Sequence, residues 1–232
     1  MSDSPESVRV GRRVRNMLDK QSRIFEAAAA LIAERGFENI TTQEISDRAD
    51  VAAGTLFRYA SSKGELLLMV YNADFRSALE VGERESRAQR DPAEAVFGMV
   101  KPIVETADRR IENIVAYQRE LLFGAPTEKY HAEGLALVAR LEAMIADRLT
   151  SAATDLGLES ERVAAQALLA GRSVFAVLHL ILARPSTGAF PGHDALRDLR
   201  DQIAQIVAGF FVSVDAVDIE GRTSPPEGRR TS

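Results

Sequence analysis

With 232 residues, 46% of them hydrophobic and 27% charged, the chain can bury a sizeable core as one large domain or as a small domain plus a medium one. The absence of cysteine excludes disulfides, thiolate metal sites and a cysteine nucleophile, and fits a reducing compartment. The net charge of -5 argues against a uniformly basic nucleic-acid binder, but the charge is unevenly placed. From Arg9 to Lys63 ten basic residues face seven acidic ones, whereas the remainder is acidic, which suits DNA contact at one end only.

No segment sustains the apolar–polar alternation of a strand, so the chain is expected to be all-α. The opening MSDSPESVRVGRRVR has no apolar core and is not a secretory signal. Residues 1–15 read as a flexible basic arm in which Arg9, Arg12, Arg13 and Arg15 are placed to track a minor groove. The first helix is expected from about Asn16 to Arg35, with Ile24, Ala28, Leu31 and Ile32 on one face. Gly36 follows where a left-handed residue is wanted, and Phe37 can fold back onto the helix.

The stretch from Ile40 to Glu65 carries the densest signal. Thr41 and Glu44 have the spacing of a capping box, flanked by Ile40 and Ile45 as a hydrophobic staple. A short helix is therefore expected from Thr42 to about Ala49, then a turn at Asp50 and Val51, then a second short helix from about Ala53 to Tyr59. Ser62 and Glu65 have the spacing of another capping box, opening the next helix. A longer helix followed by two short ones across a tight turn is the helix-turn-helix arrangement. Ile45, Ala49, Val51 and Leu56 are assigned to its core.

Longer helices are expected near 63–88, 92–109, 111–123, 128–156, 160–184 and 194–215, with breaks at Gly124–Pro126 and Pro185–Gly192. The 160–184 helix is apolar nearly all round, and the last carries a stripe of Leu196, Leu199, Ile203, Ile206, Val207, Phe210, Phe211 and Val214. Both are expected to pack across a two-fold axis with a second copy. The longest nearly apolar run, Val174 to Ala183, is interrupted by His179 and falls short of the ~20 residues that span a bilayer, so no membrane partner is expected, and a cytoplasmic location is the expectation. The expected division is 16–62 as DNA-binding domain, 63–219 as helical ligand-binding and dimerisation domain, and 220–232 as a disordered tail.

The run RIFEAAAALIAERGFENITTQEISDRADVAAGTLFRYASSKGELL, Arg23 to Leu67, resembles the TetR family of bacterial regulators. The likeness lies in an ordered set: an alanine-rich helix, R-G-F, T-T, I-S, V-x-x-G-T-L-F-x-Y and S-K. It implies an Ω-shaped homodimer, two recognition helices in successive major grooves of a palindromic operator, repression, and release by a small-molecule effector. On that reading Ala53, Gly54 and Thr55 approach base edges, Arg58 reaches guanine or phosphate, and Thr42, Tyr59 and Lys63 take phosphates. Lys63 opens a helix, where a cation opposes the macrodipole, and a phosphate beside it would reverse that sign. Two positions depart from the family pattern: Phe57 stands where a tyrosine hydroxyl often meets phosphate, and Ala60 where a bulky residue is usual.

An effector pocket between the central helices is expected to draw on Phe97, Val100, Phe123 and Phe175, with Tyr117, Glu120 and His179 as polar contacts. His131, His179 and His193 are scattered without metal-ligand spacing. No glycine-rich phosphate loop and no G-x-S-x-G elbow occurs, so no catalytic residue, metal or cofactor is assigned and the chain is not read as an enzyme.

Overall fold

The computed structural model describes residues 5–107, 111–125, 128–158, 161–188, 191–192 and 194–223. Every regular element among them is helical: α1 (Pro5–Arg35), a 3-10 turn (Phe37–Asn39), α2 (Thr42–Arg48), α3 (Ala53–Leu56), α4 (Lys63–Arg87), α5 (Pro92–Ala107), α6 (Ile111–Phe123), α7 (Lys129–Asp155), α8 (Glu161–Thr187) and α9 (Ala195–Thr223).

The helical starts and stops follow local chemistry. Helix α1 begins at Pro5 rather than near Asn16, so the expected arm is mostly helix. Proline is at ease in a first turn, and the residues from Glu6 to Arg15 include one glycine and otherwise tolerate helix. The chain leaves α1 at Gly36, whose φ of 82° suits glycine, while its N–H still reaches the Ile32 carbonyl at 2.9 Å. Pro185 does not break α8. It sits in the last turn, where one ladder bond is lost, and the helix ends at Thr187 before Gly188 with φ 64°. Residues 220–223, expected in the tail, belong to α9. His193 and residues 224–232 lie outside the described residues.

Two compact units emerge. The first takes the chain up to Arg76 together with Ala107–Leu137. Its helix-turn-helix part closes over Ile24, Ala28, Ile32, Phe37, Ile40, Ile45, Ala49 and Leu56, all buried, whereas Val51 is only half-buried. Polar side chains are also sealed inside this unit, among them Glu65, Asn72 and Asn113. The Glu65 carboxylate accepts the Tyr130 and His131 N–H groups at 3.0 and 2.9 Å, at the start of α7. The Asn72 amide donates to the Tyr130 carbonyl at 2.8 Å and accepts the Tyr117 hydroxyl at 2.9 Å. The Asn113 Oδ1 accepts the Phe37 N–H at 2.8 Å.

The second unit comprises Ser77–Thr106 and the chain from Val138 onward, so neither unit coincides with a division at residue 62. Here α8 and α9 pack along each other, burying Val174, Leu178 and Ile181 with Ile203, Val207 and Phe210. Arg184 and Asp198 tie the pair at 2.6 Å. Close helix approach depends on glycine: a Cβ at Gly82 would lie 2.2 Å from the Met99 carbonyl oxygen. From Arg162 to Thr187, α8 is long and apolar enough to cross a membrane by length and composition, and only 33% of its most apolar window is buried within the chain. A run counted without interruptions stops at His179, whereas an average over the helix does not.

Candidate nucleic-acid interface

Helix α2 is fixed at its start by the expected box. Thr41 Oγ1 accepts the Glu44 N–H at 3.2 Å, and Glu44 Oε2 accepts the Thr41 N–H at 2.7 Å. Arg35 adds a 2.6 Å ion pair to the other carboxylate oxygen. That guanidinium first, and then the Thr41 N–H and hydroxyl, hold the Glu44 carboxyl well below the usual carboxylate range, at about 2. A second fork joins Arg48 to both oxygens of Glu34 at 2.7 Å. Asp50 turns the chain with φ 51° and pairs with Arg23 at 3.1 Å. The position of α2 against α1 is thus set by buried isoleucines below and ion pairs at the rim.

Helix α3 is shorter than the sequence suggests, ending at Leu56 rather than Tyr59. The next turn tightens, as Arg58 and Tyr59 donate to Thr55 and Leu56, three residues back, at 3.1 and 2.9 Å. Ala52 precedes α3 and supplies no side-chain cap. Gly54 and Arg58 are exposed, Ala53, Thr55 and Thr42 half-buried. A Cβ at Gly54 would meet nothing within 4 Å, and its φ is not positive, so nothing inside the chain requires glycine there. Arg58 makes no ion pair with the described residues, unlike Arg23, Arg35 and Arg48 of the same unit. Leu56 and Ala60 are buried beneath this surface, while Phe57 points its ring into solvent. The buried Ala60 shows that no bulky side chain is needed to join α3 to α4.

Two expected phosphate contacts have partners within the chain. The Tyr59 hydroxyl donates to the Met17 carbonyl at 3.2 Å. The Lys63 ammonium lies 4.5 Å above the Phe37 ring and 3.4 Å from the Glu38 carbonyl, which relieves its unfavourable place at the start of α4 without a phosphate. The second box is half-formed. Ser62 Oγ accepts the Glu65 N–H at 3.1 Å, but the Glu65 carboxylate turns away to α7. The amides it meets there are buried and have no other means of satisfaction, whereas the start of α4 is open.

The residues expected to line an effector pocket fall in different units. In the first unit, Tyr117 is buried against Tyr71, ring centroids 5.6 Å apart, and burial pushes its phenol pKa upward. Glu120 is half-buried beside Arg119. Phe123, the last residue of α6, is 82% exposed and lines no interior surface, contrary to expectation. In the second unit Val100 is buried, Phe97 is buried under the Arg200 guanidinium at 4.5 Å, and Phe175 tilts against His179 at 5.2 Å. Burial pushes the His179 pKa down. Sequence reasoning passed over Asn72 and Asn113 and gave Glu65 only a place in a capping box. Their signal was a polar residue inside an otherwise apolar helical stretch, as in Gly-Glu-Leu-Leu-Leu and Ile-Glu-Asn-Ile-Val.

Residues 24–70 match the family model described as bacterial regulatory proteins, tetR family. The chain is 33% identical over 82 residues to the HTH-type transcriptional repressor KstR of Mycobacterium tuberculosis, a match that covers 35% of this chain and 37% of KstR. The chain thus spans little more than a third of that relative's length. Its fold is similar to that of FadR from Thermus thermophilus, a TetR-family repressor solved in complex with lauroyl-CoA, with a TM-score of 0.64 and 22% identity over 91% of this chain and 99% of that one. FadR from Bacillus subtilis, solved with stearoyl-CoA, is similar at a TM-score of 0.60 and 16% identity over 81% of this chain and 98% of that one.

Proposed function

We propose that this chain, whose residues 24–70 match the model of the tetR family of bacterial regulatory proteins, is a one-component transcriptional repressor, binding a palindromic operator as a cytoplasmic homodimer and released by a small-molecule effector. The observation that carries this reading is the outer surface of α3. Gly54 sits there without any internal need for glycine, on the same helical segment as exposed Arg58 with no ion pair among the described residues, above buried Leu56 and Ala60. A recognition helix needs such a surface: small residues that let the backbone near the duplex, and a cation with no partner of its own. Thr42 and Thr55 supply short hydroxyls, the Lys63 ammonium seated over the Phe37 ring keeps a further N–H for phosphate, and the Tyr59 hydroxyl donates to phosphate only by leaving the Met17 carbonyl.

The homodimer is supported by the apolar residues that α8 and α9 leave uncovered: Leu169 at 55%, Leu180 at 54% and Val212 at 70% exposure. A second copy covering both helices would remove that surface from water. Fatty acyl-CoA thioesters are the first effectors to try, since two proteins of similar fold hold them. Such a ligand must bind one spacing of the two DNA-binding heads better than the other.

The test is selection of bound fragments from a random duplex library at low and near-physiological salt. Enrichment of a palindrome that survives the higher salt is the expected outcome. Retention without a motif that collapses as salt rises would leave only electrostatic binding and sink the repressor reading.

A further inference from the structure

The junction between α1 and the 3-10 turn depends on a side chain from far along the sequence. Gly36 N–H bonds the Ile32 carbonyl at 2.9 Å, but the Gly36 ψ of 153° swings the next residue off the helix end. In the usual glycine-terminated helix the following N–H returns to a carbonyl of the last turn. Here the Phe37 N–H instead donates to Asn113 Oδ1 of α6 at 2.8 Å, and Asn113 Nδ2 donates to the Ile32 carbonyl at 3.5 Å. Asn113 is 1% exposed and Phe37 is buried, so water cannot replace this bond. Further along α6, Arg119 reaches the Glu38 carboxylate at 3.4 Å. One helix therefore holds both Phe37 and Glu38, and these two residues supply the ring and the carbonyl on which the Lys63 ammonium rests. All belong to the first compact unit.

We propose that Asn113 is a positioning residue for Lys63: it fixes the Phe37–Glu38 turn, and the turn fixes where the ammonium stands for a DNA phosphate. The role of Lys63 at DNA rests on the repressor reading, whereas its placement by Asn113 does not.

Two measurements on the full-length chain test it. In the absence of DNA, the Phe37 ring should shift the Lys63 ε-methylene protons upfield by NMR. Asn113→Leu should abolish that shift and speed exchange of the Phe37 amide, whereas Asn113→Asp, which keeps the acceptor oxygen, should retain both. On the duplex selected by the wild type, Lys63→Ala should reduce the slope of log affinity against log salt by about one per protomer. Asn113→Leu should reduce it alike, and the double variant should lose no more than Lys63→Ala alone. A Lys63 shift that survives Asn113→Leu overturns the proposal, and so do salt penalties that add in the double variant. Should Asn113→Leu fail to fold, loss of the Lys63 shift in Asn113→Asp with the Phe37 amide still protected also overturns it. A wild type without sequence-selective binding removes the repressor reading, and the DNA-free spectra still decide whether Asn113 places Lys63.

Discussion

Glu44 and Glu65 have the same sequence context, three residues after a Thr or Ser at a helix start, and opposite fates. Glu44 closes its own box because Arg35 and Thr41 surround it and nothing else nearby needs an acceptor. Glu65 abandons its box for two buried amides of α7. The first outcome was legible from spacing alone, whereas the second depends on a contact across 65 positions that spacing does not encode. Glu44 also makes stability depend on acid. Its folded pKa of about 2 lies below the ordinary 4.5, so its contribution is complete above 4.5 and is lost as pH falls toward 2. Glu44→Gln should therefore flatten the acid limb of a thermal-stability profile between those values, and an unchanged limb would show that the box contributes nothing to folding. Arg58→Ala should weaken binding to the selected operator by about 1–3 kcal/mol if Arg58 reads a base edge, measured by fluorescence anisotropy at fixed salt. Equal affinity would remove Arg58 from the interface.

Among the elements, those with strong end signals were readable to within a residue or two. Helix α2 has its box and staple, α5 its Pro92 start, and α6 its Gly124 stop. Helix α1 was read too short, because a polar stretch without apolar periodicity can still be helical when its residues tolerate helix. Helix α3 was read too long, since only the tightened bonds after Leu56 reveal where its α geometry ends. The start of α7 gave no sign of its cap, which comes from α4. Removing that cap should cost more than a surface cap does. Glu65→Ala leaves two buried N–H groups unmet, with an expected loss of about 2–3 kcal/mol read from the denaturant midpoint. A loss no larger than that of an exposed cap would mean that water enters the site. Glu65→Gln, which keeps an acceptor oxygen, should fall between.

For the molecule as a whole, helical class was clear from composition and periodicity, and the helix-turn-helix from an ordered motif. The effector pocket was not clear, because Phe97, Tyr117 and Phe175 differ in no local way from core residues; Phe123 proved to be solvent-exposed. Self-association is read from the apolar residues of α8 and α9. If the proposed dimer forms through these helices, Leu169→Glu combined with Leu180→Glu should give a folded monomer in sedimentation and weaken binding to the selected duplex steeply, since two half-sites would then be met independently. A double variant that still sediments as the wild type does would place the dimer contact elsewhere. The makeup of the first compact unit bears on how such a chain can be divided or recombined. That unit is not the leading segment alone, for it draws its closing helices from residues 107–137. A fragment ending at Arg76 would leave the Phe37 amide without Asn113, Asn72 without Tyr117, and Glu65 as a bare buried carboxylate. The helix-turn-helix part is therefore no cassette to be moved by a single crossover in the gene. A chimera that grafts it onto another protein must carry α6 and the start of α7 with it, or evolve substitutes for three buried polar contacts at once.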